Sequence, residues 1–242
     1  MKLWALLVAA FLPRRPAPGL LGDDVEVDRR LLAARQRRHA LRQLERVEEL
    51  DTALGGDRGR TILTICPHCK DSIGTQYADA GHVFPSVRSH VDFLAELVRD
   101  GKLEVEKKAE SMAVHHPCKV IHNDETALLD ELLEVSGVKA YTAGKSPNIP
   151  ACCGGGGGGF LWDSPAKVNR NRWDDIAATG QTKTVTSCPG CRRMLDVAKS
   201  EDAEVTDIAN VLVERVYAAR AAKAAAAAEA ATEAGGTDEP GA

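Results

Sequence analysis

Thr182-Lys183-Thr184-Val185-Thr186-Ser187-Cys188-Pro189-Gly190-Cys191 runs from a β-rich segment straight into Cys-Pro-x-Cys, then into residues compatible with a helix. A short β-branched run ending on a cysteine, with proline placed to open a helix, predicts a strand, a tight loop and a helix start. The same order stands once more at Thr61-Ile62-Leu63-Thr64-Ile65-Cys66-Pro67-His68-Cys69. Each copy is followed by a helix-compatible stretch, a short valine-containing run (Val83 after the first, Val205 after the second) and another helix. The recurrence predicts two related halves, of which the first is incomplete in this chain.

Working outward, apolar or β-branched runs at Thr61–Ile65, Met112–His115, Val138–Thr142 and Thr182–Thr186 read as strands. Helical periodicity occupies Val91–Val98, Ala127–Val135, Val168–Ala178 and Ile208–Val216. Strands alternating with helices predict an α/β fold of Rossmann-like βα units with a mostly parallel sheet. Residues 61–217 form the expected domain, with 61–110 the end of a first repeat and 111–217 a complete one. Residues 218–242 are Ala-rich and end in Gly235-Gly236-Thr237-Asp238-Glu239-Pro240, which predicts a fraying helix and then a disordered tail.

The first 60 residues differ in composition, with eleven Arg and one Lys against eight Arg and eleven Lys afterwards. Asp28–Leu54 is compatible with an amphipathic helix, with Leu41, Leu44, Val47, Leu50 and Leu54 near one face. The segment has no cysteine and a single histidine, His39, so it is expected to be dispensable for binding a soft metal. The helix either covers the domain or replaces sequence lost to a wrong start. The apolar run Leu3–Leu12 is too short to span a bilayer, which takes about 20 residues. It reads as a secretory core, a weak anchor or an incidental terminus.

Net charge −4 leaves no basic footprint for nucleic acid, and 4% aromatics leave no stacking platform for bases. Seven cysteines remain to be explained. An odd number in a chain of this size argues against a secreted disulfide scaffold. They are clustered: Cys66/Cys69 and Cys188/Cys191 are Cys-x-x-Cys pairs, Cys152 and Cys153 are adjacent, and Cys118 stands alone. A thiolate at a strand end with a second in the next helical turn puts two sulfurs on one side of a loop. The helix N-terminus there lowers thiol pKa and supplies N–H donors. Such a site suits a soft metal, either zinc or an iron–sulfur cluster. The plainer alternative is a set of buried, inert thiols.

Spacing across the chain is more specific. Thirty-three residues separate Cys118 from Cys152, and 34 separate Cys153 from Cys188. Two near-equal gaps around Cys-Cys-Gly, closed by Cys-x-x-Cys, resemble the cysteine-rich CCG domain. That domain occurs in heterodisulfide reductase and in the iron–sulfur subunits of anaerobic glycerol-3-phosphate dehydrogenase, glycolate oxidase and lactate-utilisation complexes. His115-His116-Pro117-Cys118 resembles its His-x-Pro-Cys, and Cys152-Cys153-Gly154 with five further glycines resembles its Cys-Cys-Gly-x-Gly-Gly-Gly. Asn169, Asn171 and Arg172 lie where the family has an Asn/Arg-rich helix start. The resemblance runs from about Thr61 to Val216.

It implies one [4Fe–4S] cluster, of the noncubane form in the best-described members, on Cys118, Cys152, Cys153, Cys188 and Cys191. Cys66 and Cys69 match only the closing pair of a preceding repeat, which leaves them a vestigial pair, a zinc site with a histidine such as His68, or a cluster completed by a partner. Gly154, Gly155 and Gly156 are expected to approach the cofactor and give backbone N–H groups to sulfur; a P-loop is excluded by the missing Lys-Ser/Thr. His115 and His116 could tune a ligand or be ordinary strand-end residues. Asn169, Asn171, Arg172, Arg192 and Arg193 are expected at the surface or as helix caps. The implied role is an oxidoreductase subunit of heterodisulfide-reductase type, in the cytoplasm or at the inner membrane face. It would pass electrons between a partner redox protein (a dehydrogenase or ferredoxin-type module) and a disulfide or quinone-side acceptor. The alternative is a zinc- or cluster-stabilised docking subunit without redox work.

Overall fold

The computed structural model describes residues 42, 44–144, 152–156 and 167–235. The run Leu3–Leu12, most of the N-terminal half of the expected Asp28–Leu54 helix, Gly157–Gly159 and the residues after Gly235 lie outside them. The chain divides into two compact units, one of residues 1–61 with 71–86 and one of residues 62–70 with 87–242. Residues 71–86 therefore group with the Arg-rich segment, where the sequence placed a boundary at residue 60.

In the first unit, helix α1 (44–53) buries Val47 and stops at Gly55 and Gly56. Both glycines have positive φ, which ends a helix at no steric cost. Arg58 pairs with Asp51, its Nε donating at 2.6 Å, and its guanidinium lies 5.1 Å from the centre of the Phe84 ring. Among the described residues of this unit, Tyr77 and Phe84 are the buried aromatics.

In the second unit, β1 (Ile62–Thr64) leads into α2 (Pro67–Asp71) and pairs in parallel with β2 (Val87–Ser89). Helix α3 (His90–Arg99) is capped by Ser89, whose Oγ accepts from the Asp92 N–H at 3.1 Å. Then come β3 (Glu110–His115), α4 (Cys118–His122), α5 (Thr126–Val135), β4 (Val138–Thr142) and α6 (Val168–Ala177). The chain closes with β5 (Lys183–Thr186), α7 (Pro189–Ala198), β6 (Glu204–Asp207) and α8 (Ile208–Gly235). The four-stranded sheet has order β4-β3-β5-β6, parallel throughout. The expected α/β fold with parallel pairing is what the chain adopts.

Alternation along β3 sorts the two faces of this sheet. Met112 and Val114 join Val91, Leu129, Leu132, Leu133, Ile208 and Leu212, from α3, α5 and α8, in one core. Ala113 joins Trp173, Ile176, Cys188, Cys191 and Leu195, from α6 and α7, in the other. Glu110 ties three elements together, accepting from Lys183 Nζ at 2.5 Å and from Arg215 on α8 at 2.6 Å.

Two expectations are corrected. The strand of the first half forms at Val87–Ser89, and Val83 is exposed outside it. The C-terminal helix runs on past Tyr217 to Gly235, within the stretch expected to be a disordered tail, because alanine, its dominant residue there, is the strongest intrinsic helix former. Among the described residues no helix is long and apolar enough to cross a membrane.

Candidate metal centre

Strand β4 lies on one side of β3 while β5 and β6 lie on the other, so the order of the sheet reverses between β3 and β5. In open α/β sheets ligands bind outside the carboxyl ends of the strands at such a reversal. His115 and Thr186, the last residues of β3 and β5, are register partners there. The chain leaves β3 through His116-Pro117 into Cys118, and leaves β5 through Ser187 into Cys188. Cys188 is the N-cap of α7, with Pro189 and Cys191 both in its first turn.

Five of the thiols form one continuous row. Cys66 meets Cys188, Cys188 meets Cys191, Cys191 meets Cys153, and Cys153 meets Cys152. Hydrogen bonds from Cys152 and Cys191 hold the Cys153 thiol well below its ordinary pKa, and His115 adds to this. Cys191 and Cys66 likewise depress Cys188, with the backbone N–H groups of Cys191 and Gly190 assisting. The donors are pushed the other way: Cys191 chiefly by Cys153, Cys66 by Cys188, and Cys152 by Cys153. Lowered and raised thiols thus alternate along the row, each lowered one receiving hydrogen bonds from its raised neighbours. Cys118 feels the charges of Cys153 and Cys188, but burial is the main reason its thiol is raised.

The glycines lie against these sulfurs. The Gly154 N–H donates to Cys152 Sγ at 3.2 Å, and the Gly155 N–H supports Cys153. Gly154 has φ +86, which side-chain-bearing residues rarely adopt, and a Cβ on Gly155 would stand 3.0 Å from Met194 Cγ and 3.6 Å from Cys153 Sγ. A side chain at Gly154 would strain the loop, and one at Gly155 would press on the Met194 side chain.

Two groups of potential ligand atoms have members all within 4.8 Å of one another: Cys66, His68 and Cys188, and His115, Cys153 and Cys191. Cys66 therefore does not stand apart with Cys69, as the spacing suggested. It abuts the site because β1 and β5 both deliver their terminal cysteine to the same place. Cys69 is exposed and belongs to neither group, although its backbone N–H donates to the Cys66 sulfur.

Arg172 is a second correction. Expected at the surface, it is 7% exposed. Its Nε–H donates to His115 Nδ1 at 3.1 Å and its Nη1 to the Ala143 carbonyl at 3.3 Å. A signal for this exists in the sequence: Arg172 precedes Ile176 by four residues, hence shares the buried face of α6. Its polar neighbours at Asn169, Arg170 and Asn171 mask that signal. His116, on the opposite side of the strand from His115, pairs with Asp130 at 3.2 Å.

The donor set suits an iron–sulfur group. Soft sulfurs predominate, a guanidinium is buried beside them, and Thr186 Oγ1, next to His115 at the strand ends, is buried without a partner. Orphaned polar atoms in such a place are costly unless something that can accept or donate sits among them.

Residues 112–196 match the family described as the CCG cysteine-rich domain. The chain is also 29% identical, over 171 residues, to the probable iron-sulfur-binding oxidoreductase FadF of Bacillus subtilis (strain 168). That similarity covers 66% of this chain and 24% of the relative, so the chain spans about a quarter of the length of that protein.

Proposed function

We propose that this chain, which carries a CCG cysteine-rich domain, is an iron–sulfur oxidoreductase subunit whose [4Fe–4S] cluster is held by Cys118, Cys152, Cys153, Cys188 and Cys191. The observation that carries the reading is the row of sulfurs at the sheet reversal, where three buried thiols, half-buried Cys66 and exposed Cys152 meet backbone N–H donors and a buried arginine. A cluster bound there would take up and release single electrons. The residues do the rest. Gly154 and Gly155 bring backbone donors against Cys152 and Cys153, and the positive charge of Arg172 offsets negative charge on the sulfurs. Burial of Cys153, Cys188 and Cys191 keeps water away from them. Electrons would come from a dehydrogenase or ferredoxin-type partner and pass to a disulfide or a quinone-side acceptor, in the cytoplasm or at the inner membrane face. The similarity to the FadF relative supports the oxidoreductase class.

Zinc is the second reading, because Cys66, His68 and Cys188 supply mixed sulfur and nitrogen ligands. Cys188 would have to serve both metals, so a zinc ion on this trio and the five-cysteine cluster exclude one another. Anaerobic purification with iron, sulfide and zinc analysis separates them. Near four irons and four sulfides per chain, with a visible absorption that bleaches on reduction, is the expected outcome. Stoichiometric zinc without iron would reject the oxidoreductase reading in favour of a docking subunit.

A further inference from the structure

We propose that Arg172 locks His115 in the tautomer that carries its proton on Nε2, making His115 a hydrogen-bond donor to cluster sulfur and excluding it from the metal ligands. The inference rests on the iron–sulfur reading above, but its core is a matter of this chain's own hydrogen bonds. On distance alone His115 qualifies as a ligand, since its ring nitrogen and the sulfurs of Cys153 and Cys191 lie within 4.8 Å of one another. A histidine binds metal through an unprotonated nitrogen.

The structure assigns the two ring nitrogens differently. Nδ1 receives the Arg172 Nε–H at 3.1 Å. A guanidinium keeps all its protons and can only donate, so Nδ1 must be the acceptor. The single proton of the neutral ring therefore sits on Nε2. His115 is 0% exposed, and with Nδ1 taken by Arg172 its hydrogen bond to the nearby Cys153 sulfur falls to Nε2. A buried N–H calls for an acceptor, and the sulfur at Cys153 is the one within reach. Arg172 is itself held, through the Ala143 carbonyl at 3.3 Å and Asp175 at 3.6 Å, so the lock has its own support. In metal sites the partner of a ring nitrogen commonly fixes the tautomer and so the role of the other nitrogen; here that partner is a cation, which selects donation.

A donor to cluster sulfur favours the electron-richer, reduced state. Arg172 and His115 are thus positioning residues that set how readily the site accepts an electron.

The test uses the full chain, labelled with ¹⁵N-histidine, with the cluster assembled anaerobically and reduced. Pulsed EPR in H₂O and D₂O should show a weakly coupled histidine nitrogen and an exchangeable proton, both absent from His115→Leu. The coupling of a directly bonded nitrogen, or no histidine coupling at all, would overturn the proposal. In redox titrations His115→Leu should weaken reduction about tenfold, or about 59 mV for one electron. His115→Gln, which retains an N–H, should recover most of this, and Arg172→Lys should fall between. An unchanged potential in His115→Leu would also overturn it. Should His115→Leu not load iron, the spectrum of the unsubstituted chain decides alone. Should the unsubstituted chain itself bind no iron, the cluster reading fails separately. The tautomer is then read by ¹H–¹⁵N NMR of the metal-free chain, where a proton on Nδ1 of His115 would refute the lock.

Discussion

The two Cys-Pro-x-Cys segments share one pattern in the sequence and become different objects in the fold. Cys188 and Cys191 are 2% and 3% exposed, on a strand flanked by β3 and β6 and a ten-residue helix whose Leu195 is wholly buried. Cys66 is half-buried and Cys69 exposed, on a three-residue strand with one neighbour and a five-residue helix that gives way to a π-helical turn at Ser72–Gln76. Both segments return a backbone N–H from the fourth residue to the first sulfur. Only the second segment sends its second sulfur inward, where Cys191 bridges Cys188 and Cys153. A local motif fixes the loop; the number of flanking strands and the packing of the following helix decide whether that loop is interior.

The largest effect expected from breaking this comparison comes from Cys191→Ser. It removes the centre of the sulfur row and puts a hard hydroxyl among soft donors. Iron and sulfide should fall to a small fraction of the unsubstituted chain in anaerobic analysis; retention of most of the iron would mean that Cys191 is a packing residue. Cys66→Ser should do less. It withdraws the donor beside Cys188, so most iron should remain while the EPR spectrum and the visible absorption shift. An unaltered spectrum would return Cys66 to a separate site, despite its contact with Cys188.

Smaller again is Gly154→Ala. A Cβ there meets the backbone nitrogen of Asn169 at 3.1 Å, in a backbone conformation with φ +86. The expected cost is on the order of 1–3 kcal/mol, measured by denaturant unfolding of the loaded chain, and a neutral result would show that the loop can move aside. Cys69→Ser should be the mildest. An exposed thiol in neither ligand group has little to lose, so iron content and spectrum should match the unsubstituted chain. Loss of iron in this variant would show that the first pair is completed in the loaded protein.

Much of this fold is legible in the sequence where the signal is local. β4 coincides with the run Val138–Thr142, and α6 begins at Val168 as its periodicity implies. The miss at β2 has a plain cause. Val87–Ser89 is only partly buried along its length, so it shows neither alternation nor an apolar run, and the nearby Val83 draws the reading to itself. The start of α8 is legible in the periodicity of Ile208–Val216, but its length is not, because beyond Tyr217 the exposed, Ala-rich part has no apolar stripe and its signal is propensity alone. Along the row, Cys152, Cys153, Cys188, Cys191 and the glycines after the adjacent pair are legible, since thiol chemistry and the need for bare backbone leave marks in residue type, whereas the place of Cys66 beside Cys188 is not.

What the sequence by itself determined is therefore the chemistry on offer: which sulfurs exist, that each Cys-Pro-x-Cys opens a helix after a strand, and that strands and helices alternate into parallel pairing. Those follow from short-range sterics, capping and periodicity, which act over a few residues. The tertiary structure alone decided which sulfurs meet. Cys66 reaches Cys188 across 121 intervening residues, and Arg172 reaches His115 across 56. Neither contact has a periodic signature, because each depends on where two strands end and on which face a helix turns inward. Those are set by burial of the whole core, and no single stretch of the chain encodes them.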